Sequence, residues 1–252
     1  MVLDTHFLIG FFAVLCRCTA MMMSAPLYGS VVPVNIRVLA SVVISLALTP
    51  VVKEYLPPVP TELLGLFLIA GREVLFGLLI GLCMQCLLAA FQIAGAFLDF
   101  QLGLGSAQLF NPAMGMSTPL GQFKFWLGLV LIFLLNGHQL MFSAFVSSFA
   151  MRGPVGAEPI FMMESLTSML GQLMLLAVQI GAPVIAVTVV IDVAAGLINK
   201  AVPQTQPFLI STPAKLALGL TAMSLGLPTL VIAVQRGLDI AFVGLDRLLG
   251  GV

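Results

Sequence analysis

Cys83 and Cys86 stand in the C-x-x-C spacing that redox centres and zinc sites use, and Cys16 and Cys18 form a second close pair. A redox C-x-x-C opens a helix beside a βαβ unit, and a structural zinc site needs a second such pair at a fixed distance. Neither context surrounds these cysteines. They lie inside apolar runs, where a free thiol serves as a small packing group. The two histidines, His6 and His138, belong to no H-E-x-x-H helix, and His138 reads as a hydrogen-bonded helix contact. No G-x-S-x-G elbow and no phosphate-cradling P-loop occurs. Met114 and Met116 offer two thioethers without the supporting soft ligands of a copper site. The residue types therefore predict no catalytic group, no cofactor and no metal centre.

Charged side chains inside apolar runs carry more information. Arg17, Arg72, Glu73, Asp99 and Asp192 fall within or beside stretches long enough to cross a bilayer, where an uncompensated charge is costly. They must face protein or water. A proton relay needs several aligned carboxylates or histidines, so ion pairing within the bundle or across subunits is the favoured role. Glu73 follows Arg72 directly, and helix neighbours are three or four residues apart, so its partner is expected on another helix. No partner for these charges is evident in the chain, which predicts obligate assembly with other subunits. Gly77-Leu-Leu-Ile-Gly81 sets two glycines on one helix face, where a second backbone can approach closely.

The most distinctive segment runs from Gly103 to Pro119 and contains Gly105, Leu109, Phe110, Asn111, Pro112, Met114, Gly115 and Met116. Glycine and proline deny it regular helix, while Leu104, Leu109, Phe110, Met114 and Met116 give it an apolar side that avoids bulk water. Such a loop folds back into a protein-lined cavity, and methionine suits an irregular, changeable gap. A re-entrant spacer is the plain alternative.

The elements that carry these residues follow from composition. Of 252 residues, 60% are hydrophobic and 8% charged, far below the roughly 25% charged residues of a soluble domain. Ten basic and ten acidic residues cancel, so no field exists to gather nucleic acid. Six apolar stretches are long enough to predict membrane helices: Phe7 to Met23, Ile36 to Val52, Leu63 to Leu98, Phe123 to Phe149, Leu166 to Ile198 and Ala214 to Val234. Arg17 stands where a signal-peptide core is uncharged, so the first stretch reads as retained. The third and fifth stretches exceed one straight crossing and carry glycines and Pro183, which predicts bent or paired half-helices. The expected fold class is a polytopic, all-α membrane protein. The positive-inside rule gives no orientation, because Lys53, Arg152, Arg236 and Arg247 on one side balance Arg37, Lys124, Lys200 and Lys215 on the other.

In order along the chain, Arg17, Ala25-Pro26, Gly29, Pro33, Arg37, Glu73, Gly77, Gly81, Gly95, Asp99, Gly103, Asn111-Pro112 and Asn136-Gly137-His138 resemble the FliR family. The likeness continues through Gly196 to Gln204, which includes Lys200, and through Pro213-Ala-Lys215. FliR and its injectisome counterpart SctT are export-gate subunits of type III secretion systems. The resemblance implies a helical assembly with FliP-like, FliQ-like and FlhB-like subunits in the bacterial inner membrane, at a flagellar basal body or injectisome base, passing unfolded export substrates. It implies a FliP-like part, residues 1–160, and a FliQ-like part, residues 161–252. It maps the family's pore plug onto Gly103 to Pro119. Arg17, Arg72, Glu73, Asp99, Asp192 and Lys200 are the charges expected to be buried or to make subunit contacts. Family assemblies sit largely out of the bilayer plane, which would account for the overlong helices and the absent charge asymmetry. Family members often carry Asp-Pro where this chain has Asn111-Pro112, and Arg where it has Lys200. A flagellar machine is the favoured setting. The competing readings are a small-solute secondary transporter, which would show an inverted repeat of broken helices, and an intramembrane enzyme, which would need a nucleophile beside a base.

Overall fold

The computed structural model describes residues 5–29, 32–56, 63–104, 118–150, 159–202 and 207–249. Among these residues every regular element is helical: α1 Thr5–Ser24, α2 Pro26–Gly29, α3 Val34–Leu48, α4 Leu63–Gln101, α5 Pro119–Leu134, α6 Gly137–Ser147, α7 Pro159–Ala201, α8 Pro207–Leu225 and α9 Leu227–Leu248, with a 3₁₀ turn at Lys53–Tyr55. Helix is the open structure that satisfies its own backbone in an apolar medium, so long apolar runs take it.

Four of these helices are long and apolar enough to cross a membrane: Phe7–Ser24, Leu63–Gln101, Met163–Ala201 and Leu227–Leu248. A fifth crossing counts α5 and α6 together, which are bent by 69° at a short break. The six expected crossings are thus corrected to four or five. Helix α3 has 15 residues, about 22 Å at 1.5 Å per residue, and falls short of a bilayer core of about 30 Å. The expected stretch Ala214 to Val234 is divided at Gly226 between α8 and α9. The third and fifth stretches each form one continuous helix, α4 of 39 residues and α7 of 43, with Pro183 inside α7, while the bent pair is α5 with α6. At 1.5 Å per residue α4 and α7 are about 58 and 64 Å long. Of the eight cations weighed for orientation, Arg37, Lys124, Lys200, Lys215, Arg236 and Arg247 lie on helices.

The chain forms two compact units that interleave along the sequence: residues 1–87, 136–170 and 238–252, and residues 88–135 and 171–237. In the first unit α3 packs on α1 with its polar side inward. Ser41, Ser45 and Thr49, spaced by one helical turn, are buried, while Val38, Leu39, Val42, Val43 and Leu46 are exposed. Thr19 Oγ1 donates to Ser41 Oγ across the two helices at 3.1 Å. This inversion of a soluble helix is what lipid selects, because apolar side chains gain nothing by leaving hydrocarbon and small polar groups join helices instead. The glycine face of α4 meets α1 in the same unit. A Cβ on Gly77 would overlap the Arg17 carbonyl oxygen, and one on Gly81 would overlap Ser24 Oγ. In the second unit the end of α4 crosses the start of α5 at Gly95 and Gly121, where a Cβ on Gly95 would strike Gly121 backbone. Leu98, Leu102 and Val184 form the buried core beside that crossing, with Leu120, Ile185, Ala222 and Met223 packed around them.

Candidate functional site

Two polar centres sit inside these apolar helices. In the first unit, Arg17 on α1 is 1% exposed and Glu73 on α4 is 2% exposed. Arg17 Nε donates to Glu73 Oε2 at 2.6 Å and Arg17 Nη1 donates to Ser148 Oγ at 2.7 Å. The Ser148 hydroxyl, at the end of α6, in turn donates a hydrogen bond to the Phe145 carbonyl at 2.6 Å. The guanidinium lies 3.7 Å from the Phe149 ring centroid and 4.3 Å from that of Phe76. Planar donors and a delocalised charge suit arginine to this mixture of carboxylate, hydroxyl and aromatic faces. The centre joins three helices and excludes water. Arg17 and Glu73 form a buried ion pair at its centre.

Glu73 therefore has its partner on another helix of its own chain. Arg72, one residue away, is half-buried; its Nε has no hydrogen-bond partner among the described residues, and its guanidinium lies 5.6 Å from the Phe76 ring. An open, almost wholly apolar cavity of about 710 Å³ runs past it, lined by residues of α4 that include Phe67, Leu68 and Leu75.

In the second unit Asp99 is 1% exposed. Its carboxylate accepts the Leu120 N–H at 3.0 Å and the Gly121 N–H at 3.2 Å. These are free donors of the first turn of α5, and a carboxylate there is favoured by hydrogen bonding and by the helix dipole. The backbone carbonyl of the same residue accepts the Leu104 N–H at 2.9 Å. Asp99 thus holds both ends of the Gly103 to Pro119 loop. Gly103 leaves α4 at φ +75°, a conformation that glycine adopts without cost. Pro119 opens α5 at its first position, where no N–H is needed. Gly105, Leu109, Phe110, Asn111, Pro112, Met114, Gly115 and Met116 lie outside the described residues.

The other predicted charges are placed differently. Asp192 is exposed and pairs with Lys215, and Lys200 is exposed at the end of α7. In the chain by itself Asp192 stands on the open side of α7. The absence of evident partners is corrected for Arg17, Glu73, Asp99 and Asp192, which all find one within the chain. Sequence reasoning missed Ser148, Phe149 and Phe76 around Arg17. The aromatic pair Phe145 and Phe149, one turn apart, was the available signal. It also missed Lys124, which is 3% exposed in the second unit.

All four cysteines are free, and among the described residues no three His, Cys, Asp or Glu side chains converge as metal ligands would. Outside the spans, burial pushes the Tyr28 hydroxyl up to about 12, so it stays a neutral phenol near neutral pH.

The fold and its buried charges define a helical membrane protein whose long helices are packed through glycines and internal ion pairs. The chain belongs to the bacterial export proteins, family 1, whose family model matches residues 8–240. It is 33% identical over 217 residues to the flagellar biosynthetic protein FliR of Caulobacter vibrioides, which covers 85% of this chain and 86% of that protein. Over 187 residues it is 30% identical to the protein of the same name from Bacillus subtilis, with 72% of each chain covered. The Escherichia coli protein of that name is 29% identical over 224 residues, covering 86% of this chain and 84% of its own. The resemblance read from the sequence holds over most of the chain, and this is a family of membrane export proteins, not of enzymes.

Proposed function

We propose that the chain is a structural and gating subunit of the inner-membrane export gate of a flagellar type III secretion apparatus, and that it helps form the pore through which unfolded protein substrates pass. The observation that carries this reading is the match to flagellar biosynthetic proteins over most of both chains. Its partners are FliP-like, FliQ-like and FlhB-like subunits, with residues 1–160 as the FliP-like part and residues 161–252 as the FliQ-like part. Helices of about 58 and 64 Å and a large exposed apolar surface support burial in such an assembly. The relatives do not favour a small-solute transporter.

Gly103 to Pro119 is the plug in this reading. Support comes from the loop's apolar residues, which seal by excluding water, and from Asp99, which ties both ends of the loop to α4. Deleting the gene in the native bacterium should abolish filament assembly and export, with rescue by the intact chain. A deletion of Leu109 to Ser117 should leave the complex assembled but leaky to small solutes, with export at least partly retained. Filaments built normally without the chain would overturn the export reading, and an impermeable assembled complex lacking Leu109 to Ser117 would return the loop to a spacer.

A further inference from the structure

Lys124 is the one charged group of the second unit that is enclosed and yet unanswered. It stands on the second turn of α5, and its relative exposure is 3%. Among the described residues it makes neither an ion pair nor a hydrogen bond. The second unit contains two acids, Asp99 and Asp192. Asp99 is engaged by the first amides of α5, and Asp192 by Lys215. Its other described cations, Lys200 and Arg236, are exposed and need no partner within the chain.

The position of Lys124 on its helix says where a partner would come from. At 100° per residue, the buried Gly121, Gly128 and Ile132 lie on one side of α5, and Lys124 stands at the margin of that arc. Gly121 meets Gly95, and Gly128 meets the Phe91 ring, so this arc is packed on protein. The exposed Phe123, Trp126, Val130 and Phe133 form the opposite flank, the one suited to lipid. Lys124 itself is 3% exposed, so its stem is covered where it stands at the edge of this packed arc. A covered stem with its head at the edge of a protein-packed face is placed to receive a group from an adjoining chain. In so apolar a setting an ammonium needs a full countercharge, and the protein side chain that supplies one is a carboxylate.

The geometry points to Lys124 as a docking point for an Asp or Glu carboxylate on a helix of a neighbouring subunit. This rests on the reading of the chain as one member of an assembly. The sign of a substitution separates the docking role from a structural one. Loss of a paired cation should weaken the assembly, because the partner's carboxylate is left without its countercharge, whereas loss of an unpaired buried charge should leave the assembly as stable or more so. The test uses the assembly purified from the native bacterium, treated with a water-soluble carbodiimide, which joins an amine to a carboxylate in direct contact. Peptide mass analysis should find Lys124 joined to an Asp or Glu of another chain. Lys124→Met should lower recovery of that chain about tenfold, and Lys124→Arg should largely restore it. A bond from Lys124 to a carboxylate of its own chain would overturn the proposal. So would a Lys124→Met assembly as abundant and heat-stable as the wild type, or one whose defect is repaired by anionic phospholipid vesicles, since the partner would then be a headgroup. If the wild-type chain purifies with no other subunit, the assembly reading itself fails; an intact assembly with Lys124 unreacted and dispensable sinks the docking role alone.

Discussion

At the scale of single residues, the Arg17 centre and Asp99 answer two different needs. Arg17 and Glu73 are both ions, so removing either strands the other among Phe76, Phe149 and helix backbone. Such a loss costs about 3 to 5 kcal/mol, whereas replacing both by apolar groups of similar volume is often close to neutral. Glu73→Ala and Arg17→Met should each sharply reduce the yield and melting temperature of the purified complex, and the double variant Arg17→Met, Glu73→Leu should recover much of the loss. Glu54→Ala, at an exposed position in the 3₁₀ turn, should change neither. If the double variant were as poor as the singles, hydrogen bonding through Ser148 would outweigh charge balance. Asp99 acts on amides instead of a cation, so its removal resembles loss of a helix cap, about 0.5 to 2 kcal/mol. Asp99→Ala should lower the melting temperature of the complex, and Asp99→Asn, which keeps one acceptor oxygen, should lower it less; equal losses would show that the negative charge at the start of α5 is what matters.

At the scale of elements, the same substitution should have opposite signs at different glycines of the long helices. Gly77 and Gly81 have α1 pressed against them, and an added methyl meets backbone or Ser24. Overpacking of this kind costs about 1 to 3 kcal/mol, so Gly77→Ala and Gly81→Ala should separate α1 from α4 and lower thermal stability. Gly71 on the same helix and Gly196 on α7 have open space within 4 Å. There, alanine gains about 0.5 to 1 kcal/mol through helix propensity alone. Thermal unfolding of the four variants, followed by circular dichroism in detergent, checks the contrast. Stability unchanged at Gly77 and Gly81 would mean that α1 does not press on α4. A loss at Gly71 or Gly196 that appears in the assembled complex alone would map a neighbouring subunit onto that turn.

At the scale of the whole molecule, the pattern of exposure predicts dependence on other chains. Leu63, Leu64, Phe67, Leu68, Phe100, Leu134 and Leu197 are among many large apolar residues open on this chain, and long helices cannot hide all of them in a bilayer core of about 30 Å. Expressed alone, the chain should be degraded or recovered as heterogeneous aggregates; expressed with its export-apparatus partners, it should elute as one species of defined mass. Light scattering on both preparations decides this, and a folded, monodisperse monomer in mild detergent would overturn it.

The amino-acid sequence by itself determined that the chain is helical and membrane-bound, because its apolar residues come in long unbroken runs with few charges, which suit a helix and not the alternating pattern of a barrel strand. It also marked Gly77, Gly81, Arg17, Glu73 and Asp99 as unusual, since small residues and ions stand out against an apolar background. Where one helix ends and the next begins was less legible. Hydropathy is continuous through Gly226 and Leu135, so two apparent crossings hid a joint. Tertiary structure alone decided which charges meet. Arg17 lies 56 positions from Glu73 and 131 from Ser148, and no local spacing rule connects residues so far apart. It likewise decided that α3 turns its serines inward and that the Asp99 carboxylate serves α5 instead of a cation, because both outcomes depend on which helix packs alongside. Lys124 shows the same limit from the other side: its type and position were plain in the sequence, but only the packing of α5 against α4 left it enclosed without a countercharge.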